Sequence, residues 1–132
     1  DITEILKEKN SYHCIIIRST IPPGTIKKLI TKYVNDQKIG ICFNPEFLRE
    51  GMAVSDYLDP PFIIAACSDE QSKNYISKIY EDITQEIIFL QFEEAEIIKI
   101  ICNVFHALKV VFANEIGRFC NHKIWFLFFQ IN

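Results

Sequence analysis

Hydrophobic residues lie along this chain in short continuous runs separated by longer amphipathic stretches. The runs are rich in β-branched residues and are bounded by polar residues, proline or glycine, which is the pattern of strands buried on both faces. They predict strands at residues 12–18, 39–43, 62–67 and 87–91. The stretches between them have the 3.6-residue period of helices and predict helices at residues 25–35, 69–82 and 93–121.

The alternation of strands and helices indicates an α/β fold. No hairpin signal joins consecutive strands, so the pattern favours right-handed βαβ units and a largely parallel sheet with helices on both faces. Residues 1–92 then form the sheet domain, and residues 93–121 form a long helix that opens a second domain. Residues 122–132 form an atypical apolar tail.

Polar residues support two of the predicted helix starts. Ser68 and Gln71 have the spacing of a capping box, in which each side chain satisfies a free backbone N–H group. Glu93, Glu94 and Glu96 place negative charge at the start of the long helix, where the helix dipole favours it. We therefore expect helices to begin at these two points.

Composition and charge exclude several classes of protein. The 132 residues are 49% hydrophobic, as in a globular protein, and carry a net charge of −3 without a Lys/Arg cluster, which argues against nucleic acid and membrane partners. No apolar run approaches the ~18–20 residues of a transmembrane helix.

The five cysteines lie far apart in apolar runs. We expect them to pack as small hydrophobes in a reducing cytoplasm, without a disulfide framework or a metal site.

The loops after the first two predicted strands carry candidate chemistry, because ligands of open α/β sheets bind beyond the carboxyl ends of strands. Residues 18–25 (RSTIPPGT) offer the Thr20 hydroxyl, and residues 44–51 (NPEFLREG) carry the carboxylates of Glu46 and Glu50. A carboxylate in a desolvated crevice serves as a general base or binds a sugar. Spacing alone also allows an ordinary turn in the first loop and an exposed ion pair in the second.

The long helix carries a stripe of polar residues. At about 100° per residue, Lys99, Asn103, His106 and Asn114 fall within a sector roughly 80° wide and about 22 Å long. Such a stripe suits an extended anionic ligand, with the lysine balancing developing negative charge. The solvated face of an amphipathic helix has the same pattern, so both interpretations stay open.

Together these segments resemble the UDP-glucose/GDP-mannose dehydrogenase family. The resemblance rests on residues 18–25, residues 44–51, and AEIIK at residues 95–99, which continues to Asn103 and to NEI at residues 114–116. It implies a partial Rossmann-like NAD-binding domain followed by the long helix. It also implies oxidation of a sugar C6 alcohol to a carboxylate in two hydride transfers to NAD, through covalent intermediates on a cysteine.

The resemblance implies roles for the residues of the two loops. Thr20 would contact the cofactor and help to order the catalytic water. Glu46 and Glu50 would share the acid-base work around thioester hydrolysis, and Glu50 would also contact the ligand.

It likewise implies roles for the helical stripe. Lys99 and Asn103 would stabilise the oxyanion and position the sugar, and His106 and Asn114 would contact the substrate. His106 favours the GDP-mannose 6-dehydrogenase branch, because UDP-glucose enzymes of the family tend to have an aliphatic residue at this position. A UDP-glucose enzyme is the alternative.

Two features of the family are missing from this sequence. Its glycines, Gly24, Gly40, Gly51 and Gly117, do not form the Gly-rich turn that binds the pyrophosphate of NAD. The family's nucleophilic cysteine lies in a Gly-rich segment beyond the long helix, and Cys120 lacks that context. We therefore expect a fragment that is inactive as an isolated chain and forms a homodimer through the long helix. A non-catalytic association module is the alternative.

Overall fold

A computed structural model of the chain describes residues 2–33 and 38–122. Every predicted strand and helix is present. The strands are β1 (His13–Ile17), β2 (Ile39–Phe43), β3 (Ile63–Cys67) and β4 (Ile87–Phe89). The helices are α1 (Ile2–Lys7), α2 (Thr25–Tyr33), α3 (Ala53–Leu58), α4 (Glu70–Ile79) and α5 (Phe92–His122). Helices α1 and α3 were not among the predicted elements, since six residues are too few to show a helical period.

The chain divides into two compact units. The first, Asp1–Lys99, contains the sheet, α1 to α4 and the first turns of α5. The second, Ile100–Asn132, contains the remainder of α5. Of the apolar tail predicted over residues 122–132, only His122 lies within the described residues, and its backbone is helical.

The sheet has the order β1-β2-β3-β4, and the mostly parallel arrangement is confirmed. The pairs β1–β2 and β3–β4 are parallel, but β2 and β3 are antiparallel. No helix was predicted between residues 43 and 62, and the antiparallel direction of β3 was not predicted either. The helix in this connection, α3, is about 9 Å long, which is too short to return the chain along a strand of about 17 Å.

Helices cover both faces of the sheet, as predicted. Alternate residues of β2 and β3 point to opposite faces. One face packs against α2 and the start of α5, and its buried residues are Ile26, Ile41, Phe43, Ile64, Ala66 and Ala95. The other face packs against α4, and its buried residues are Cys42, Ile63, Ala65, Ile76 and Tyr80.

Helix α4 begins with a different cap from the one predicted. Its N-cap is Asp69, whose carboxylate accepts a hydrogen bond of 2.8 Å from the N–H of Ser72. The predicted cap, Ser68, instead accepts a 2.9 Å hydrogen bond from the N–H of Ile41 and donates to Asp69 at 2.7 Å. The capping box of Ser68 and Gln71 is wrong because the Ser68 hydroxyl is engaged by the neighbouring strand.

Candidate functional site

The candidate site lies at the edge of the first unit where β1 and β2 end. Because these two strands are parallel, the segments that follow them, residues 18–25 and 44–51, leave the sheet at the same edge. The antiparallel β3 begins at this edge as well. The reversal of direction between β2 and β3 thus brings residues 60–62 to the site.

Asn44 fixes the first residue after β2. It is buried, and its N–H donates to the carbonyl oxygen of Ile17 at the end of β1, at 2.9 Å. Its side-chain Nδ2 donates to the carbonyl oxygen of Ile64 at 2.8 Å, and its Oδ1 accepts from the Tyr80 hydroxyl at 2.7 Å. Asn44 was not among the predicted site residues, although a polar residue directly after a fully buried strand was a usable signal.

Lys99 and Glu46, for which the resemblance implies different roles, lie side by side in the structure. The Lys99 side chain is 6% exposed, and its Nζ lies 3.4 Å from Oε1 of Glu46. Nζ also donates to the backbone oxygen of Glu46 and lies 5.0 Å from the centroid of the Phe47 ring. The other carboxylate oxygen of Glu46 accepts a 2.7 Å hydrogen bond from the N–H of Leu48. A buried ammonium is thereby held by the segment that carries the candidate base.

Arg49 forms an ion pair with Asp56 that was not predicted. Its Nη2 and Nε donate to Asp56 of α3 at 2.8 and 3.1 Å, and its backbone N–H donates to the same carboxylate at 2.8 Å. Hydrogen bonds from the Arg49 guanidinium and backbone hold the pKa of Asp56 below its ordinary value. The ion pair between Arg49 and Asp56 therefore holds residues 44–51 against α3. Arg49 lies in a loop, so the seven residues that separate it from Asp56 carry no helical or strand period that indicates contact.

Thr20 and Glu50 are placed differently from Lys99 and Glu46. Both side chains are exposed, and within the described ranges no hydrogen bond or ion pair holds either of them.

A cavity at this edge, lined by Arg18, Asn44 and Tyr80 among others, has a volume of about 30 Å³. That is room for about one water molecule and far less than the ~300–1,000 Å³ of a ligand pocket.

Glu96 was predicted to stabilise the start of α5, but its carboxylate binds the N-terminus of α2 instead. It is fully buried, and its carboxylate accepts hydrogen bonds from the N–H groups of Gly24, at 2.5 Å, and Ile26, at 2.8 Å. These groups lie at the N-terminus of α2, next to the left-handed turn that Gly24 makes with φ of 82°. At the start of α5, the carboxylate of Glu94 accepts a hydrogen bond of 2.9 Å from the N–H of Gln91. The sequence showed the charge of Glu96 but not its partner.

The remaining stripe residues belong to the second unit. Asn103, His106 and Asn114 are exposed on α5, and none of them makes a hydrogen bond or ion pair with another described residue.

In the part of the chain that the structure describes, no cluster of His, Cys, Asp and Glu has the arrangement of a metal site. The helices of that part are also too short or too polar to cross a membrane.

Comparison with known families decides the relationship of this chain. Residues 1–84 match the NAD-binding domain of the UDP-glucose/GDP-mannose dehydrogenase family, and residues 93–123 match the central domain of the same family. The chain belongs to this family.

Relatives within the dehydrogenase family include enzymes named for both sugar nucleotides. The GDP-mannose 6-dehydrogenase of Pseudomonas syringae pv. tomato is 41% identical over 125 residues, 89% of this chain and 28% of the relative. The UDP-glucose 6-dehydrogenase of Rickettsia bellii is 36% identical over 111 residues, 80% of this chain and 25% of the relative. This chain thus spans about a quarter of each relative.

Solved structures of the family agree with the fold. A ternary complex of GDP-mannose dehydrogenase from Pseudomonas aeruginosa matches with a TM-score of 0.80 and 40% identity, over 88% of this chain and 28% of that one. A UDP-glucose dehydrogenase from Pyrobaculum islandicum matches with a TM-score of 0.76 and 32% identity, over the same shares of the two chains. The Rossmann-like character expected for the first unit is confirmed by these neighbours.

The family implies NAD as the cofactor of the complete enzyme. A dinucleotide's pyrophosphate is commonly bound by free N–H groups at a helix N-terminus. In this structure the N-terminus of α2 is occupied by the Glu96 carboxylate and that of α4 by Asp69. These helices therefore do not fit the pyrophosphate of NAD, which a carboxylate would repel. Thr20, exposed after β1, is the cofactor candidate within the described residues.

Proposed function

We propose that this chain is part of an NAD-dependent sugar-nucleotide 6-dehydrogenase that converts GDP-mannose to GDP-mannuronate in two hydride transfers. The observation that carries the proposal is the buried ammonium of Lys99, held against Glu46 at the edge where β1 and β2 end. Oxidation at C6 passes through oxyanions, which a preorganised cation in a desolvated site stabilises. The proposed setting is polysaccharide biosynthesis in the cytoplasm.

Residues 1–92 then form the carboxyl-terminal part of the NAD-binding domain, and residues 93–121 form the helix that opens the central domain. The family matches at residues 1–84 and 93–123 support this division. NAD accepts the hydrides in the complete enzyme, and Thr20 contacts it and orders the catalytic water. The pyrophosphate is bound by residues other than those at α2 and α4.

Glu46 and Lys99 form the chemical centre of the proposal. An ammonium has three N–H donors, and the backbone oxygen and carboxylate of Glu46 accept from Lys99 Nζ. We propose that the substrate oxyanion becomes a further acceptor of Nζ, joined by the amide of Asn103. Glu46 then acts as the base in thioester hydrolysis and shares this work with Glu50, which also contacts the ligand.

His106 and Asn114 are proposed to contact the substrate further along α5. Support for GDP-mannose over UDP-glucose comes from His106 and from the 41% identity to GDP-mannose 6-dehydrogenases, against 36% for the Rickettsia UDP-glucose enzyme. A UDP-glucose enzyme is the alternative within the same reaction class.

The isolated chain is proposed to be inactive. It contains neither a Gly-rich phosphate loop nor a cysteine in a Gly-rich segment. We expect the purified 132-residue chain, given NAD and GDP-mannose, to form no NADH above the rate without protein. NADH formation that depends on the chain contradicts this expectation.

A chimera tests the substrate and the role of Lys99. Residues 12–117 of this chain replace the matching segment of the P. syringae GDP-mannose 6-dehydrogenase, and NADH formation is measured with GDP-mannose and with UDP-glucose. We expect turnover of GDP-mannose. Lys99→Ala in the chimera lowers kcat about 10²–10³-fold, the usual effect of removing an oxyanion donor.

The matched control is Lys109→Ala, which removes a lysine of the same helix that lies over the Phe105 ring and leaves kcat unchanged. Circular dichroism and gel filtration of each chimera establish that it is folded. A folded chimera that turns over only UDP-glucose contradicts the proposed substrate. A folded Lys99→Ala chimera with full kcat contradicts the proposed role of Lys99.

A second candidate function, self-association, is favoured by the surface of the second unit. Large apolar side chains of α5 there are 57–65% exposed, more than single-chain proteins usually leave in one stretch. They are Val104, Phe105, Leu108, Val111, Phe112 and Phe119. We propose that a second copy of this chain covers them.

Sedimentation equilibrium of the full chain tests this second function. A dimer is expected, and Phe112→Glu should weaken it at least tenfold. The control is Val54→Glu in α3, which alters an apolar side chain of the first unit that is 76% exposed. A folded chain that stays monomeric at all concentrations overturns self-association without affecting the chimera test.

A further inference from the structure

Two cysteines that are far apart in sequence face each other in the sheet. Cys42 of β2 is directly opposite Cys67 of β3, and their sulfur atoms are 3.2 Å apart. Both are free thiols. The apolar context of each cysteine was visible in the sequence, but their contact depends on the antiparallel direction of β3, which was not predicted.

The pairing of the two strands favours a covalent bond between these sulfurs. One step along the ladder, the N–H of Ser68 donates to the carbonyl oxygen of Ile41 at 2.9 Å. Hydrogen-bonded and non-hydrogen-bonded pairs alternate in antiparallel sheets, so Cys42 and Cys67 form a non-hydrogen-bonded pair. The Cα atoms of such pairs are about 4.5 Å apart, within the ~4.4–6.8 Å range of disulfides.

The two thiols differ in their exposure to solvent. Cys42 is fully buried, whereas Cys67 is half-buried and lines a cavity of about 280 Å³ together with Lys73 and Gln91. The hydrogen bond between the sulfurs lowers the pKa of Cys67, and Lys73 acts in the same direction. The same hydrogen bond and burial raise the pKa of Cys42. The accessible sulfur is therefore the better nucleophile of the pair.

We propose that Cys42 and Cys67 are a thiol-oxidation site that forms an intrachain disulfide by exchange with a small disulfide such as glutathione disulfide. The Cys67 thiolate attacks one sulfur of the small disulfide, which breaks its S–S bond and releases one thiolate that takes up the proton lost by Cys67. Cys42 then loses its proton and attacks Sγ of Cys67, which releases the second thiol. Two protein thiols are oxidised, and one small disulfide is reduced to two thiols.

Peptide mapping of the unaltered chain tests the proposal. The folded chain is incubated with glutathione disulfide, then denatured, alkylated and digested with trypsin. Each of the five cysteines falls in its own tryptic peptide, with Cys42 in residues 39–49 and Cys67 in residues 50–73. We expect these two peptides to be linked, the count of alkylated cysteines to fall from five to three, and dithiothreitol to restore all five.

Single-cysteine substitutions distinguish the attacking role of Cys67 from the resolving role of Cys42. Cys42→Ser should retain a stable glutathione adduct on Cys67, because the resolving thiol is gone. Cys67→Ser should form neither an adduct on Cys42 nor a disulfide, and the control Cys102→Ser should form the disulfide as the parent does. Absence of the linked peptide from the oxidised parent chain overturns the proposal, as does a link to Cys14, the third cysteine that packs on this face.

Discussion

The two units of the chain hold their polar residues in different ways. In the first unit, Lys99 and Glu46 are fixed by hydrogen bonds, an aromatic ring and burial. In the second unit, Asn103 and His106 are exposed, and only the helical backbone determines where they lie. Packing therefore preorganises the candidate residues of the first unit, whereas spacing along a helix is all that places those of the second. Substitutions should consequently have large effects on stability in the first unit and small ones in the second.

The largest effect is expected from Glu96→Ala. The substitution leaves the N–H groups of Gly24 and Ile26 without their charged acceptor, and Ile26 is fully buried. Each unsatisfied group destabilises by about 1–3 kcal/mol, so the free energy of unfolding should fall by about 2–6 kcal/mol. Urea denaturation followed by circular dichroism measures the change.

The matched control is Glu93→Ala, three residues earlier on the same helix. Glu93 is half exposed, and its carboxylate lies 3.6 Å from Lys27. Such surface pairs contribute little, about 0–1 kcal/mol. Equal losses in the two variants would contradict the distinct role assigned to Glu96.

An intermediate effect, dependent on pH, is expected from Asp69→Asn. Burial favours a higher pKa for Asp69, but hydrogen bonds from the N–H of Ser72 and from the hydroxyls of Tyr12 and Ser68 hold its pKa below the ordinary value. The unfolded chain then binds this proton more readily, near the usual Asp pKa of about 3.9. The stabilisation by Asp69 is complete above that pH and is lost as the pH falls through the lower, folded pKa.

Urea denaturation of the parent and Asp69→Asn chains between pH 7 and pH 2.5 measures this dependence. The difference between their free energies of unfolding should be constant near neutrality and shrink below about pH 4. Asparagine retains an oxygen that caps α4, so the variant keeps its fold. A difference that does not vary with pH would exclude the carboxylate charge as its source.

The smallest effect is expected from His106→Ala in the second unit. The imidazole is exposed and makes no hydrogen bond with the described residues, so the free energy of unfolding should change by no more than about 0.5 kcal/mol. The same denaturation assay detects the result. A loss above about 1 kcal/mol would show that His106 is packed and would remove the contrast between the units.

The sequence predicted the elements of the fold better than their directions. Apolar runs reveal a buried strand such as β2, in which all five residues are buried. They do not show whether its neighbour runs parallel or antiparallel, because a strand covered on both faces is buried along its length in either case. The connection between β2 and β3 contains only the short helix α3, and a helix of six residues gives no periodic signal.

The candidate site was predicted in the same uneven way. Residues 44–51 stood out because they carry two carboxylates and an arginine, and residues 95–99 because they resemble a family motif. The structure brings Glu46 and Lys99 together. Their supporting contacts were not predictable. Glu96 lies 72 residues from Gly24 in sequence, and no local pattern links a carboxylate on one helix to N–H groups on another.

That long separation has a consequence for synthesis of the protein. A chain grows from its N-terminus at about 5–20 residues per second, so α2 leaves the ribosome several seconds before Glu96 has been translated. During this interval the N–H groups at the start of α2 are satisfied only by water. The loop that Glu96 closes is among the longest in the first unit, and its closure is unfavourable in entropy. A nascent chain interrupted before residue 96 therefore lacks the carboxylate that caps α2 in the folded protein.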